Sequence, residues 1–381
     1  MSRLQLPPLS LYIHIPWCER KCPYCDFNSH TAPENLPEIP YISALLEDLE
    51  LDLPFVQDRE IQSIFIGGGT PSLLSVDAYQ ALFNGIRERT TLARDAEVTL
   101  EANPGSAEAD KFAGFVEAGV TRISLGIQSL DNDLLHRLGR IHDRQQALAA
   151  VDIVSSCQLD SYNIDLMHGL PQQNVAGARA DLEMALGLQP PHLSWYQLTI
   201  EPNTHFYSDR PELPNESILG GIQDEGESML AAAGFDNYEV SAWAQPGHQC
   251  SHNRNYWQFG DYIGIGAGAH GKVSNLSTSQ VQRSSRKKQP VEYLQSSATE
   301  RRSSRVLNDD DLCGEYMLNV LRLREGFLTA EFSSHTGLPW SLVESTVLKL
   351  TERGLLDGES ERIKASLLGR QYLDSVIAEF F

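Results

Sequence analysis

Three cysteines fall within eight residues near the amino terminus, as Cys18-Glu19-Arg20-Lys21-Cys22-Pro23-Tyr24-Cys25. Thiolates are the usual ligands of iron–sulfur clusters, and each sulfur of such a run can hold one iron of a [4Fe-4S] cube. Three protein ligands leave the fourth iron open to an outside molecule. A structural zinc site is the alternative. Zinc takes four ligands, commonly as two separated pairs; no second C-x2-C is present, so His14 or His30 would have to complete the set. A disulfide fits less well, because no signal peptide precedes the cysteines and Cys157, Cys250 and Cys313 are scattered singly. Cys157 and Cys313 lie in helical patterns and read as small core residues. The spacing favours the cluster.

Rigid elements must hold such a loop. Just before it, Leu11-Tyr12-Ile13-His14-Ile15 reads as a short buried strand that Pro16 stops. Five further apolar runs follow, at 63–66, 97–100, 122–126, 162–166 and 193–198, with amphipathic helical stretches near 40–54, 75–89, 107–118, 143–157, 174–188 and 215–233. Strands alternating with helices imply an α/β fold with a parallel sheet. Six such units opening on a cluster loop suggest an open, three-quarter (β/α)6 TIM-like barrel. Functional groups of barrels gather at the carboxyl ends of the strands. Polar residues stand there in succession: Gly67-Gly68-Gly69-Thr70-Pro71, Glu101-Ala-Asn103, Gln128 with the later Arg140, and Asp165. Glycines allow close backbone approach to a small ligand. The charged and amide groups suit an amino-acid nucleoside, with a carboxylate for its ammonium, a guanidinium for its carboxylate, and Gln and Asp for ribose hydroxyls.

Bulk properties narrow the function classes. The 381 residues suffice for two or three domains, and the net charge of −21 argues against a polyanionic partner such as nucleic acid. No apolar run reaches the ~20 residues of a membrane span, and a cytoplasmic location is expected. The basic island Arg283, Arg286, Lys287 and Lys288 reads as a solvated loop, with an anion or propionate contact as the alternative. Residues 1–235 are read as the barrel, 236–300 as a connecting region and 301–381 as a mostly helical, winged-helix-like domain. In that last part helices are expected around Leu312–Leu321, over Thr329–Thr336, over Thr346–Arg353 and over Leu367–Phe380, with a hairpin before the last. It lacks a dominant basic face, so a lid or docking role fits better than DNA binding.

The C-x3-C-x2-C loop after a strand resembles the radical S-adenosylmethionine (SAM) superfamily. The run Tyr12-Ile-His14-Ile-Pro16-Trp-Cys18, the GGGTP turn, Glu101, Gln128, Arg140, Asp165 and Leu170-Pro171-Gln172 together resemble its oxygen-independent coproporphyrinogen III oxidase family, over nearly the whole chain. The resemblance implies a [4Fe-4S] cluster on Cys18, Cys22 and Cys25, whose open iron chelates SAM and whose electron can break the sulfonium bond. It implies a SAM site lined by Tyr12, Gly68, Gly69, Thr70, Glu101, Gln128, Arg140 and Asp165, with Thr199 near the adenosine and Tyr24 beside the cluster. Two features depart from the oxidases. Phe27 stands where they carry a further cysteine, and His252-Asn253-Arg254-Asn255-Tyr256-Trp257 resembles the signature of a sister branch of heme chaperones. For that branch the resemblance implies heme as cargo and His252 as its ligand. It also implies heme-acceptor proteins such as those of the respiratory chain, and a reductant for the cluster. In the motif itself, histidine is a standard heme ligand, Tyr256 and Trp257 can stack on a macrocycle, and Arg254 can meet a propionate. The other reading makes His252 a hydrogen-bonded loop histidine, with Tyr256 and Trp257 filling a domain junction. His248 and His270 are further candidate ligands. Oxidative decarboxylation of coproporphyrinogen III is the alternative function.

Overall fold

The computed structural model describes residues 4–105, 111–359 and 361–381. Its main sheet has twelve strands: β1 (Leu9–Ile15), β2 (Ile61–Gly68), β3 (Leu92–Ala102), β4 (Arg122–Gln128), β5 (Ser161–His168), β6 (His192–Gln197), β7 (Asp236–Asn237), β8 (Ala242–Ala244), β9 (Asp261–Ile265), β10 (His270–Asn275), β11 (Gln280–Arg286) and β12 (Arg302–Val306). They are ordered β12-β11-β10-β9-β1-β2-β3-β4-β5-β6-β8-β7 across the sheet. Strands β1 to β6 pair in parallel with one another in sequence order, and β8 adds to β6 antiparallel. The sheet has two free edges, so the barrel is open, as the sequence led us to expect.

The helices between the strands are α1 (Glu38–Asp52), α2 (Val76–Arg89), α3 (Phe112–Ala118), α4 (Arg144–Ser156), α5 (Val175–Gly187) and α6 (Glu216–Ala232). The stretch expected at 107–118 begins in residues 106–110, which lie outside the described residues, and continues as α3. Capping side chains start several helices: Ser75 accepts from the Ala78 N–H, Asp143 from Gln146, Asn174 from Gly177 and Asn215 from Ile218. Each cap is worth roughly 0.5–2 kcal/mol over alanine. Alternation along the strands divides the sheet into two faces. Leu9, Leu11, Ile13 and Ile15 of β1 are wholly buried in the large core shared with the helices. Ser10, Tyr12 and His14 alternate with them and so face the barrel interior, which is largely polar.

Residues 236–300 contribute β7 to β11 to this same sheet. They also form the short helix α7 (Ser251–Trp257), which packs on β1, β2 and β9. Beyond them lie α8 (Asp309–Val320), α9 (Thr329–Thr336) and α10 (Ser341–Glu352), with a three-stranded sheet of Phe327–Leu328, Arg362–Ala365 and Leu356–Glu359. Tyr316 centres a second core, with Phe259, Phe327 and Phe332 edge-on to its ring at 5.2–5.4 Å. Truncating a buried ring such as Phe332 to alanine costs ~3–5 kcal/mol. The last helix is broken at Tyr372 into Leu367–Gln371 and Leu373–Ala378. Among the described residues, no helix is long and apolar enough to cross a membrane.

Only part of the basic island is a solvated loop: Lys287 and Lys288 are exposed beyond the strand, whereas the two arginines are not. Arg283 and Arg286 lie on β11. The Arg286 side chain is fully buried between Asp48 and Asp52 of α1, 2.5 Å from the Asp52 carboxylate, and Arg301 and Arg302 meet the same two acids. Burial raises both carboxyls despite Arg286. Arg283 meets Glu315 of α8 at 2.7 Å. These pairs tie the outer strands to α1 and to the carboxyl-terminal domain.

Candidate functional site

Beyond β1 the chain makes a two-residue strand, Trp17–Cys18, that pairs with His30–Thr31 and pins both ends of the cysteine loop. Cys18 is buried, while Cys22 and Cys25 are partly exposed. The Cys25 N–H donates to the Cys22 carbonyl at 3.2 Å, closing a turn between them. Under the loop, the Gly69 and Thr70 N–H groups donate to the carbonyls of Ile15 and Trp17, both at 2.7 Å. Gly68 has φ +114°, and a Cβ there would strike the His14 ring; a Cβ on Gly69 would strike the Trp17 backbone. The glycines are needed for this close approach of turn and loop.

A cavity of about 350 Å³ opens at the carboxyl ends of the strands. It gathers Cys18, Cys22, Cys25, Tyr24, Gly68, Gly69, Thr70, Glu101, Gln128, Arg140, Asp165 and Thr199. Of the residues expected to hold the cluster or SAM, Tyr12 stands outside it, and the candidate heme ligands His248, His252 and His270 lie elsewhere. Tyr12 sits one layer below, its hydroxyl 2.9 Å from His14 Nδ1, and Glu101 acts on it electrostatically. Arg140 spans the mouth. It donates to Cys22 Sγ at 3.4 Å, to Asn103 Oδ1 at 2.6 Å and to the Gly126 carbonyl at 2.7 Å. Asn103 in turn donates to Thr70 Oγ1 at 3.0 Å. Asp165 accepts from Asn163 at 2.7 Å and from Ser124 at 3.1 Å, and Gln128 accepts from the Tyr196 hydroxyl at 2.7 Å. Asn103 was named from sequence only as part of a strand end, and Ser124 and Tyr196 were not singled out as site residues. Their signal is alternation: Ser124 and Tyr196 occupy the inward positions of β4 and β6.

The electrostatics describe an incomplete site. Glu101 is pushed up to about 8, first by burial and then by the Asp165 carboxylate, with the Gly68 N–H opposing at 3.2 Å. Burial also raises Asp165, against hydrogen bonds from Asn163, Ser194 and Ser124. Two acids facing one interior favour a cationic guest. Burial pulls Arg140 down, yet Tyr24 and the Cys22 sulfur outweigh it and hold the guanidinium above its ordinary value. Its Nε is buried without a partner. Burial raises the thiols of Cys18 and Cys25, with Thr70 and Ser29 hydrogen bonds opposing. A metal reverses that preference by binding the thiolate. Neither histidine considered for zinc is free. His14 Nε2 meets the Asn28 carbonyl at 2.9 Å, and His30 meets Asn28 Oδ1 at 3.3 Å. Among the described residues, no group of three or more His, Cys, Asp or Glu could hold a single metal ion. A cube asks for one thiolate per iron at separate corners.

His252 lies at the opposite end of the barrel, on α7 rather than on a loop. Helix α7 plugs the floor. Glu97 of β3 accepts from the Ser251 N–H at 3.0 Å, the His252 N–H at 3.2 Å and Cys250 Sγ at 3.2 Å. His252 is 2% exposed, with Nδ1 3.0 Å from Ser63 Oγ and its ring between Phe65 and Tyr256. Burial lowers its pKa to about 3, and Nε2 has no partner. That nitrogen is enclosed in this arrangement, so a macrocycle reaches it only if α7 moves. Arg254 is likewise committed, to Gln249 and to Glu325 at 2.8 Å.

The Radical SAM superfamily model matches residues 12–185. The chain is 48% identical over 377 residues to the heme chaperone HemW of Escherichia coli strain K12, covering 99% of both chains. It is 44% identical over 380 residues to that of Haemophilus influenzae, covering 99% of this chain and 98% of the other. To the HemW of Bacillus subtilis strain 168 it is 30% identical over 380 residues, covering 97% and 99%. The solved structure of the coproporphyrinogen III oxidase HemN of Escherichia coli, a radical SAM enzyme, superposes with a TM-score of 0.82 at 21% identity, over 99% of this chain and 91% of that one. That likeness is one of fold. Together these matches make the chain a member of the HemW family within the radical SAM superfamily.

Proposed function

We propose that this protein is a heme carrier whose barrel mouth holds a [4Fe-4S] cluster and SAM, and which passes heme to acceptor proteins. The observation that carries the reading is the 48% identity, over nearly the full length of both chains, to a protein named a heme chaperone. The geometry of the mouth supports its cofactor half. Cys18, Cys22 and Cys25 would each hold one iron, and the bound cluster would supply a Lewis-acidic iron corner and one-electron chemistry. Gly68, Gly69 and Thr70 offer backbone groups to the amino-acid end of SAM. Glu101 faces its ammonium, and Arg140 turns from Cys22 toward its carboxylate. Gln128 and Asp165 serve the ribose, Thr199 lies near the adenosine, Tyr24 packs beside the cluster, and Tyr12 supports Glu101 from below. His252 becomes a heme ligand only if α7 leaves the barrel floor. The setting is cytoplasmic, where thiols stay reduced, with a separate reductant for the cluster.

The test is anaerobic reconstitution with iron and sulfide, followed by parallel titration with heme and assay with coproporphyrinogen III. A carrier shifts the heme Soret band at micromolar protein and leaves the porphyrinogen unchanged. Robust formation of protoporphyrinogen would overturn the carrier reading in favour of the oxidase.

A further inference from the structure

We propose that Ser29 tunes the reduction potential of the cluster, through a hydrogen bond from its hydroxyl to the Cys25 thiolate. The proposal rests on the cluster half of the reading above and deepens it, since it gives the sulfurs a donor that SAM does not take away.

Ser29 follows Cys25 by four residues and is 5% exposed. Its Oγ lies 3.7 Å from Cys25 Sγ. A serine hydroxyl has one proton to give, and its competing oxygen acceptor is the Phe27 carbonyl, 3.4 Å away. That carbonyl is already engaged. It accepts from the Ser29 N–H at 2.7 Å and from Lys21 Nζ at 3.1 Å. A carbonyl oxygen has two lone pairs, so both are used and the hydroxyl is left to the sulfur. In the free thiol either atom of the pair can donate. A thiolate bound to iron carries no proton, so there the hydroxyl is the donor.

The chain holds the hydroxyl in that place. Directly after Ser29, the His30 N–H donates to the Pro16 carbonyl at 2.7 Å, and the Ala32 N–H donates to the Cys18 carbonyl at 2.8 Å. The return arm of the loop is thereby anchored to its outgoing arm. Lys21, between the first two cysteines, also reaches the Ser29 carbonyl at 3.4 Å.

Arg140 is a donor of another kind. It meets Cys22 Sγ at 3.4 Å and lines the cavity, where the carboxylate of SAM would claim its guanidinium. Ser29 is not among the residues lining that cavity, so its bond to sulfur persists whatever the mouth holds. A donor to a ligating sulfur draws charge from the cluster and favours the electron-rich, reduced form, which raises the potential.

The test is EPR-monitored potentiometry of the reconstituted full-length protein. Dithionite supplies one electron per cluster and is itself oxidised to sulfite. Ser29→Ala is expected to lower the reduced-to-oxidised ratio at a fixed potential threefold or more, a downward shift of at least ~28 mV for a one-electron couple. The shift is expected with and without SAM. Ser29→Thr keeps the hydroxyl and stays within twofold of the wild type, whereas Ser29→Val, of the same bulk, falls as Ser29→Ala does. Iron content and SAM affinity match the wild type in all three variants, which separates tuning from loss of the cluster. An unchanged potential in Ser29→Ala, or equal potentials in Ser29→Thr and Ser29→Val, would overturn the part given to Ser29 and leave the cluster reading standing. Wild-type protein that forms no [4Fe-4S] centre would overturn both.

Discussion

The two ends of the barrel interior are built from the same strands and the same kinds of side chain, yet the chain itself covers only one of them. At the floor, Glu97 is spent on the amino end of α7, Ser10 and Ser63 pair at 2.8 Å, and His192 bridges Asn163 and Tyr238. Four residues along the same strand, Glu101 at the mouth faces Asp165 with only the Gly68 N–H for relief. Arg140 rests against a sulfur with its Nε unpartnered. Buried polar groups are stable when mutually satisfied and costly when not. The floor is closed by the chain's own helix, and the polar atoms left there without a partner, His252 Nε2, Trp257 Nε1 and Arg122 Nε, are covered by the chain itself. The mouth is left for ligands to complete. Polar residues at strand ends are therefore not equivalent: what separates a plug from a site is whether the chain supplies the partners.

The comparison breaks most visibly if the plug is loosened. Glu97→Ala removes the acceptor of two N–H groups and a thiol, at a cost of about 1.5–3 kcal/mol for hydrogen bonds to a charged group. Amide exchange over residues 251–257 and modification of His252 by diethylpyrocarbonate should both accelerate, while SAM affinity stays within twofold. Slow exchange of α7 in that variant would mean that Glu97 does not hold the floor. The mouth responds to pH instead. A carboxyl held near 8 must lose its proton before it can face an ammonium, so SAM affinity should rise as pH increases and level off above about 8. The rise is at most ~10-fold per pH unit, or ~1.4 kcal/mol. Glu101→Gln should be weaker throughout and flat across that range; a flat wild-type profile would remove Glu101 from the cation's side. Smallest is Ser63→Ala, which takes the partner of His252 Nδ1 and costs ~0.5–1.5 kcal/mol in thermal unfolding, with no change at the mouth.

Legibility in the sequence followed the range of the contacts. The existence and order of the six units came from local periodicity, although the second and third strands run longer than expected, and the cysteine loop and glycine turn came from residue type at fixed spacing. The plug did not, because Glu97 and the α7 amides it caps lie 154 and 155 positions apart. Arg286 read as a solvated charge for the same reason: Asp52, which buries it, is 234 residues away. Its neighbours Lys287 and Lys288 gave the run a surface composition. Asn103 received no role and Tyr196 was passed over because an isolated amide or phenol at a strand end is common, and only closure of the barrel brings them to Arg140 and Gln128. Tyr12 was grouped with the mouth on resemblance, whereas alternation on β1 puts its side chain one layer lower.

The central claim is that the mouth is completed by an iron–sulfur cube on three thiols with one corner free. Mössbauer spectroscopy of anaerobically reconstituted protein, with and without SAM, addresses it directly. The expected result is ~4 iron per chain as a [4Fe-4S] centre, with one iron site changed by SAM and the whole signal lost in Cys22→Ser. Zinc in place of iron, or a cube whose four irons are all indifferent to SAM, would contradict it.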